Sequence, residues 1–308
     1  MKIGVAVENF TSPGNEPDVE SLKTYCLKAD ELGYESIWTW DHLLLGSKNV
    51  FPVLDSLTLL SYCAGVTKRI NLGSLYLLAL RDPLVVAKVI SGLNYISGNR
   101  LLLAVISGWY KKEFDAVGID FNKRGKLLVQ NLNIIKTLLY NEDINISFDG
   151  KKYEHVTIAP RPKQPIKFLM GGYTENVLKR VGKMSDGWLS YYYTPDSFRT
   201  SLRIINNEAL KAGRNPENFE NTNMVPIYID SDENVAKSKV LEFTNKYMDL
   251  PKWSEATVES GIWGSVEKAI EKIEEYKLAG VKRLVLIPAF YRLEQMIIIG
   301  EKVLSQFL

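Results

Sequence analysis

Two cysteines and two histidines in 308 residues leave little material for disulfides or for a metal centre. Cys26 and Cys63 both fall inside helical patterns, and no metal-spaced cluster forms around them. They read as core thiols of a protein kept in a reducing compartment, with no metal. Long hydrophobic runs are also missing: none comes near the roughly 18 residues that a membrane-spanning helix needs. Met1 to Val7 reads as a strand and not as a signal peptide, because no charged segment is followed by a long apolar one. The expectation is a cytoplasmic protein without a membrane partner. Neither sign of charge dominates: 38 Lys and Arg stand against 36 Asp and Glu, for a formal net charge of +2. No segment carries a basic stripe, which excludes the electrostatic footprint of a nucleic-acid binder. A Gly-rich dinucleotide fingerprint is absent as well, since Glu8, Asn9 and Phe10 follow the first strand.

What is present is an alternation of short apolar runs with longer helical patterns. Ile3 to Val7, Ser36 to Thr39, Asn71 to Leu77 and Leu101 to Ile106 read as strands in the first half. The helical patterns after them are Val19 to Leu32, Asp55 to Ala64, Pro83 to Ile96 and Lys126 to Tyr140. Gly33 stands where a C-cap belongs, and Pro83 opens its helix. The second half repeats the theme, with strands at Phe168 to Met170, Gly187 to Ser190, Asn223 to Ile229 and Arg283 to Ile287. Their helices are Glu175 to Met184, Pro195 to Ala212, Val266 to Ala279 and Leu293 to Phe307. Leu101 to Ile106 is almost wholly apolar, as a strand buried on both faces should be. Eight strand–helix units without a break in composition predict an α/β chain folded as one (β/α)8 TIM barrel domain over residues 1–308. A doubly wound open sheet is the alternative.

Three stretches exceed an ordinary strand-to-helix loop: Asp41 to Leu54 after strand two, Ser107 to Arg124 after strand four, and Asp230 to Trp263 after strand seven. The last contains a helical stretch, Asn234 to Met248. All three follow strand C-termini, the face on which such barrels carry their active sites. Ile144 to Ile158 reads as a hairpin around Asp149-Gly150, on the opposite face.

Chemistry is sought at the strand ends. His42 lies just beyond strand two, and imidazole is the side chain best suited to move protons near neutral pH. It reads as a general acid/base, against the plainer reading of a loop histidine bonded to backbone. Asp41 either orients His42 or caps the loop. Gly171-Gly172-Tyr173-Thr174 opens a helix after strand five, where glycines admit a ligand to the backbone and a helix N-terminus attracts phosphate. The plainer reading is a turn with Thr174 as N-cap. Tyr191-Tyr192-Tyr193 follows strand six and reads either as a pocket wall or as packing under a loop. Trp40 is a neighbour for a bound ring. Arg81 and Arg124 read as structural ion pairs, and His155 as a hairpin residue without function. No strand end offers a Schiff-base lysine or paired carboxylates, which disfavours an aldolase or isomerase.

Several of these segments, taken in order, resemble the luciferase-like monooxygenase family, which includes bacterial luciferase, flavin monooxygenases and deazaflavin-dependent dehydrogenases and reductases. Asp41-His42-Leu43 resembles the DH(L/F) of deazaflavin users, and Asn71-Leu72-Gly73-Ser74 with Arg81-Asp82-Pro83 resembles the LGT…RHP block. Ser97-Gly98-Asn99-Arg100 resembles LSGGR. Gly108-Trp109, Glu113-Phe114, Gly118 and Arg124-Gly125 fit GW…EF…G…RG. Gly171-Gly172-Tyr173-Thr174 with Asp186-Gly187-Trp188, Ala212 to Pro216, Trp263 to Glu267 and Ala279-Gly280-Val281 complete the series.

The resemblance implies a redox enzyme with a flavin-type cofactor, a small-molecule substrate and a homodimeric state. It places a bulge at Ser74-Leu75-Tyr76 behind the cofactor ring, with a cis peptide at Leu75–Tyr76, and sets Ser107 and Gly108 at the ring's border. Gly171, Gly172, Tyr173 and Thr174 then hold the cofactor phosphate. Two departures separate the chain from the family's sugar and alcohol dehydrogenases: no Glu precedes Glu113 in the loop after strand four, and the fourth residue beyond His42 is Gly46 where they carry Trp. The expected activity is therefore reductase-like hydride transfer with coenzyme F-420. An FMN-dependent monooxygenase is the alternative, and a non-catalytic flavin-binding barrel is the alternative of another class.

Overall fold

The computed structural model describes residues 1–46, 49–148, 150–249 and 254–307. Its frame is eight parallel strands: β1 (Lys2–Ala6), β2 (Ser36–Trp40), β3 (Asn71–Leu77), β4 (Leu101–Ile106), β5 (Lys167–Gly171), β6 (Trp188–Tyr191), β7 (Thr222–Ile229) and β8 (Arg283–Pro288). Each pairs with its sequence neighbour, and β8 pairs with β1, with Lys2 opposite Arg283. The sheet is closed, so the (β/α)8 barrel expected from the alternation is the fold, and the open doubly wound sheet is not. A short strand, Ile262–Gly264, adds to the end of β7.

The strands alternate faces, and the two faces meet different partners. Ala6, Trp38, Leu75, Leu102, Ala104, Leu169, Leu189, Met224 and Val285 point inward and pack on one another. Val5, Ile37, Leu72, Leu103, Phe168, Val225 and Leu284 point outward under the helices. Trp38 fills the centre. Its indole Nε1 donates to Ser36 Oγ at 2.8 Å, and its ring lies against β3, where a Cβ on Gly73 would come within 2.3 Å of it. Below it, Arg283 is 1% exposed and donates from Nε and Nη2 to the two oxygens of Glu35 at 2.7 and 2.8 Å. This fork-to-fork pair satisfies a charge that would otherwise be costly to bury.

The outer ring comprises α1 (Val19–Glu31), α2 (Ser56–Val66), α3 (Pro83–Ile96), α4 (Arg124–Tyr140), α5 (Glu175–Met184), α6 (Pro195–Lys211), α7 (Val266–Leu278) and α8 (Leu293–Ile298). Side-chain caps at Asp18, Asp55, Asp82, Thr194 and Ser265 start five of them, each accepting from first-turn N–H groups. The predicted last helix, Leu293 to Phe307, is not one regular element: α8 passes into a π-helical turn at Ile299–Val303 and a 3-10 turn at Leu304–Gln306. Cys26 on α1 and Cys63 on α2 meet in the outer core as free thiols, with their sulfurs 3.2 Å apart. Among the described residues no helix is long and apolar enough to cross a membrane.

The three insertions lie together at the C-terminal ends of the strands. After β4 comes a short helix, Lys111–Ala116, which the periodicity did not reveal. After β7 the predicted stretch Asn234 to Met248 is a helix over Glu233–Glu242 running into a π-helical turn over Phe243–Tyr247, with a further helix at Ser254–Ser260. The hairpin pairs Ile144–Phe148 with Lys151–Val156; Asp149, expected at its tip, lies outside the described residues.

The Trp38–Gly73 contact is a stability test. Gly73→Ala is expected to destabilise the fold by about 1–3 kcal/mol through overpacking. Gly92→Ala, on α3 with open space around it, is expected to stabilise by roughly 0.5–1 kcal/mol. Urea unfolding of both variants checks the pair of signs.

Candidate active site

Asp41 and His42 are adjacent at the end of β2, and the alternation sends them to opposite sides. Asp41 is buried and accepts from the Leu77 backbone N–H at 2.9 Å and from Arg81 Nη2 at 2.7 and 2.8 Å. It therefore ties the β2 loop to the end of β3 and does not orient His42. Burial pushes its carboxyl up, while the Arg81 guanidinium and the Leu77 N–H pull it back down. Arg81 is the ion-pairing residue expected. Arg124 is not: its guanidinium lies 3.9 Å from the Phe121 ring centroid and Nη1 donates to the Phe121 carbonyl.

The carboxylate at His42 is Glu113. This residue belongs to the short helix after β4, and its side chain has no exposure to water. Its oxygens lie 3.2 and 3.3 Å from His42 Nδ1. Oε1 also accepts the backbone N–H groups of Leu43 at 2.6 Å and Leu44 at 3.2 Å. Three donors converge on one buried charge, which offsets its desolvation and fixes the His42 ring. A carboxylate can only accept, so Nδ1 is the nitrogen that donates to it. Nε2 makes no hydrogen bond among the described residues and is left for proton exchange. Trp109, 62% exposed, sets its ring edge-on to the imidazole at 6.0 Å, and Tyr110 Oη donates to the Gly46 carbonyl at 3.0 Å. The insertion after β4 thus folds over the insertion after β2. The sequence showed Glu113 only as part of a family motif, and its partner stands 71 residues away.

The other expected residues divide by face. Leu75 points into the barrel interior, but the Ser74 hydroxyl meets Ser56 Oγ at 3.0 Å under α2. Tyr76 also faces outward, below Arg81 at 4.8 Å. No cis bond occurs at Leu75–Tyr76: the cis peptide among the described residues is Ala159–Pro160. β3 keeps an unbroken register with β4, with Leu75 opposite Ala104 and Tyr76 opposite Val105. The ladder holds the strand regular, so neither the bulge nor its roughly 3 kcal/mol isomer is called for. Ser107 and Gly108 end β4 at the mouth, half-buried, with Gly108 at φ 82°. Gly171 is required by packing, since a Cβ there would meet Ile106 Cγ2 at 2.6 Å across the interior.

Gly172, Tyr173 and Thr174 lead into α5. Thr174 is the N-cap residue, yet its hydroxyl makes no capping bond. Val177 N–H turns back to the Thr174 carbonyl at 2.8 Å, which leaves the N–H groups of Glu175 and Asn176 for an anionic oxygen. The Tyr173 ring stacks on Tyr193 at 5.9 Å and an interplanar angle of 7°. These residues fit the phosphate of a flavin-type cofactor. No group of His, Cys, Asp and Glu suited to a metal ion occurs among the described residues.

Trp40, two residues before His42 at the end of β2, belongs to an aromatic cluster. Trp40 is edge-on to Tyr191 at 6.4 Å, to Tyr291 at 6.0 Å and to Phe10 at 5.7 Å. Glu8, two residues beyond β1, sits half-buried beside it, and burial raises its carboxyl to about 7. Among Tyr191, Tyr192 and Tyr193, the first borders the mouth, the second is buried with Oη on Met248 Sδ at 3.3 Å, and the third packs on Trp188. His155 pairs with Asp143 on the exposed hairpin, remote from all of this.

A parallel barrel with a buried carboxylate–imidazole pair at its C-terminal mouth is the class defined by fold and site. The chain belongs to the luciferase-like monooxygenase family, whose model matches residues 1–261. It is 28% identical over 224 residues to the 5,10-methylenetetrahydromethanopterin reductase of Methanolobus tindarius, across 71% of this chain and 65% of that protein. An uncharacterised protein of Mycobacterium tuberculosis is 28% identical over 166 residues, and the match takes 53% of this chain and 57% of that one. Among solved structures, an F420-dependent secondary alcohol dehydrogenase in complex with an F420-acetone adduct superposes with a TM-score of 0.84 at 16% identity, covering 99% of this chain and 98% of that one. The FMN-bound oxygenating constituent of 3,6-diketocamphane monooxygenase from Pseudomonas putida gives 0.82 at 16%, covering 100% and 99%. At these identities the structures attest the barrel alone.

Two outcomes follow from the site. Glu113→Ala is expected to cost about 1–3 kcal/mol, because two backbone donors lose a buried acceptor. It should also release the His42 tautomer preference, read from imidazole 15N shifts. For Glu8 the bound proton is held more tightly in the folded than in the unfolded chain, so its contribution is full at acid pH and is lost as pH rises to about 7. Glu8→Gln should therefore raise the melting temperature at pH 8 and leave it unchanged at pH 4.

Proposed function

We propose that this protein is an oxidoreductase that moves a hydride between coenzyme F-420 and a small organic substrate, in the reductase direction. The observation that carries the reading is the Glu113–His42 pair, with Nε2 unengaged at the mouth of the barrel. A deazaflavin bound there supplies the hydride chemistry that no amino-acid side chain offers. The chain's own part is to bind, orient and handle protons. Gly172, Tyr173 and Thr174 would hold the phosphate at the N-terminus of α5. Leu75, Ser107 and Gly108 would border the ring. Glu113 holds the Nδ1 proton of His42 in place, so that Nε2 accepts or donates a proton next to the reacting centre. Trp109 lies edge-on to the imidazole, backed by Tyr110, and limits access of water.

The reductase among the relatives and the Asp41-His42-Leu43 segment favour the deazaflavin over FMN. The same residues would serve FMN, for which oxygen becomes the co-substrate. A homodimer belongs to this reading. Val85, Val89 and Ile96 on α3 are 61%, 43% and 63% exposed and occupy one side of the helix, an apolar surface that a second copy would cover.

Titration with coenzyme F-420 and with FMN, followed by fluorescence, tests the cofactor. Tight binding of F-420 with weak binding of FMN is the expected result, and the reverse preference would move the assignment to an oxygen-using enzyme. His42→Ala is expected to keep cofactor affinity while slowing turnover by about 100-fold or more. Unchanged turnover would remove His42 from the chemistry.

A further inference from the structure

The strand ends carry groups that the proton-handling role leaves unused. Phe290 and Tyr291 directly follow β8, and their φ values are 59° and 50°. Tyr192, beyond β6, stands at 59°. Bulky side chains rarely adopt this left-handed conformation, and such backbone outliers collect at ligand sites. Here the turns bring Tyr291 against Trp40 and Phe10, with Tyr191 closing the far side of Trp40. Trp40 and Tyr191 reach the opening, while Phe10 and Tyr291 lie beneath.

Tyr291 is 5% exposed, and its hydroxyl has no hydrogen-bond partner among the described residues. A buried donor without an acceptor is costly and uncommon. Its acceptor arrives with a ligand. Glu8 is the nearby acid. Ala6 and Phe10 both belong to the inward row of the β1 segment, and the two-residue alternation puts Glu8 in that row. Its charge acts on the hydroxyls of Tyr291 and of Tyr25 from α1, and Tyr192 acts on Tyr291 from the β6 side. No cationic side chain pairs with it among the described residues.

We propose that this well, bounded by Trp40, Tyr191 and Tyr291 with Glu8 at its edge, is the substrate seat. It takes a flat, uncharged molecule bearing a carbonyl-type oxygen that accepts a hydrogen bond from Tyr291. This rests on the reading of the mouth as a redox site and names the class of molecule that enters it. Ring edges and faces suit a flat apolar body. Among the described residues no cation pairs with Glu8, so an anion would meet its carboxylate uncompensated. Burial holds the three tyrosine hydroxyls neutral well above their ordinary range, so Glu8 is the member of this group that changes charge near neutrality. Once ionised, Glu8 sets a negative charge near the Tyr291 hydroxyl, which disfavours the partly negative oxygen that would accept from it. Affinity for a neutral carbonyl compound then falls as pH rises through about 7.

The test uses acetophenone, ethylbenzene and benzoate as probes on the intact protein, with binding read by saturation-transfer NMR and by tryptophan fluorescence. Wild type should bind acetophenone saturably and benzoate at least about tenfold more weakly. Tyr291→Phe should weaken acetophenone by about tenfold, the worth of one hydrogen bond, to the level of ethylbenzene. Between pH 6 and 8 wild type should lose affinity for acetophenone, and Glu8→Gln should not. Absence of saturable acetophenone binding, benzoate bound as tightly as acetophenone, or an unaltered affinity in Tyr291→Phe would each overturn the proposal. The wild-type comparison stands even if a variant folds poorly. Cofactor titrations on the same samples separate the two readings. Normal cofactor binding with failed probes sinks the substrate seat alone, and probe binding without cofactor binding sinks the redox reading alone.

Discussion

Closing eight parallel strands leaves an interior that must be filled to the density of a crystal, and the indole of Trp38 is the largest side chain of that inner cluster. Trp38 lies flat against β3 because Gly73 has no side chain there, and Ser36 accepts its N–H. Arg283 and Glu35 seal the end below. With a rigid plug at this level, everything above it stands on a fixed floor. The strand ends at Trp40, Leu77, Ile106 and Tyr191 are held in register by the ladders, so the loops beyond them begin from set positions.

Loops that leave a rigid rim still need their own anchors, and here each anchor is a buried carboxylate. Asp41 accepts from the backbone at Leu77 and from Arg81, which fastens the root of the β2 loop to β3. Glu113 accepts from Leu43 and Leu44 and from His42, which fastens the next residues of the same loop to the insertion after β4. Arg81 is the principal donor to Asp41, with one backbone N–H beside it, and backbone N–H groups supply two of the three donors to Glu113. A loop whose donors are consumed by buried acids loses them to no competing water, and its histidine is positioned without a helix or strand beneath it.

Much of this was legible in the sequence because periodicity reports burial. β3, β4, α3 and α5 have the bounds their patterns implied, and Asp41 to Leu54, Ser107 to Arg124 and Asp230 to Trp263 are the insertions at the mouth. What periodicity left open were the long-range partners. Asp41 could either orient His42 or cap the loop, and it does the second: successive residues leave the strand end on opposite sides, and the acid at His42 comes from another loop. Ser74 and Tyr76 turn their side chains to the outward face of β3, while Leu75 between them points in. Strain at Phe290 and Tyr291 carries no sequence signature, since neither is a residue type that favours positive φ.

The arrangement separates two tasks that one carboxylate would otherwise share. An acid that orients a proton-moving histidine must itself be held in place by buried donors. An acid that senses the substrate must be open to it. Glu113 is fully buried and satisfied by three donors, so its charge is spent on geometry. Glu8 is half-buried and unpaired among the described residues, so its charge is free to vary, and burial places that change near neutrality. The two lie on loops from different strands, which lets either be altered without moving the other. Substitutions at Glu113 therefore act through the shape of the β2 loop, and substitutions at Glu8 through the field in the aromatic well, so that a double-mutant cycle between them should be close to additive.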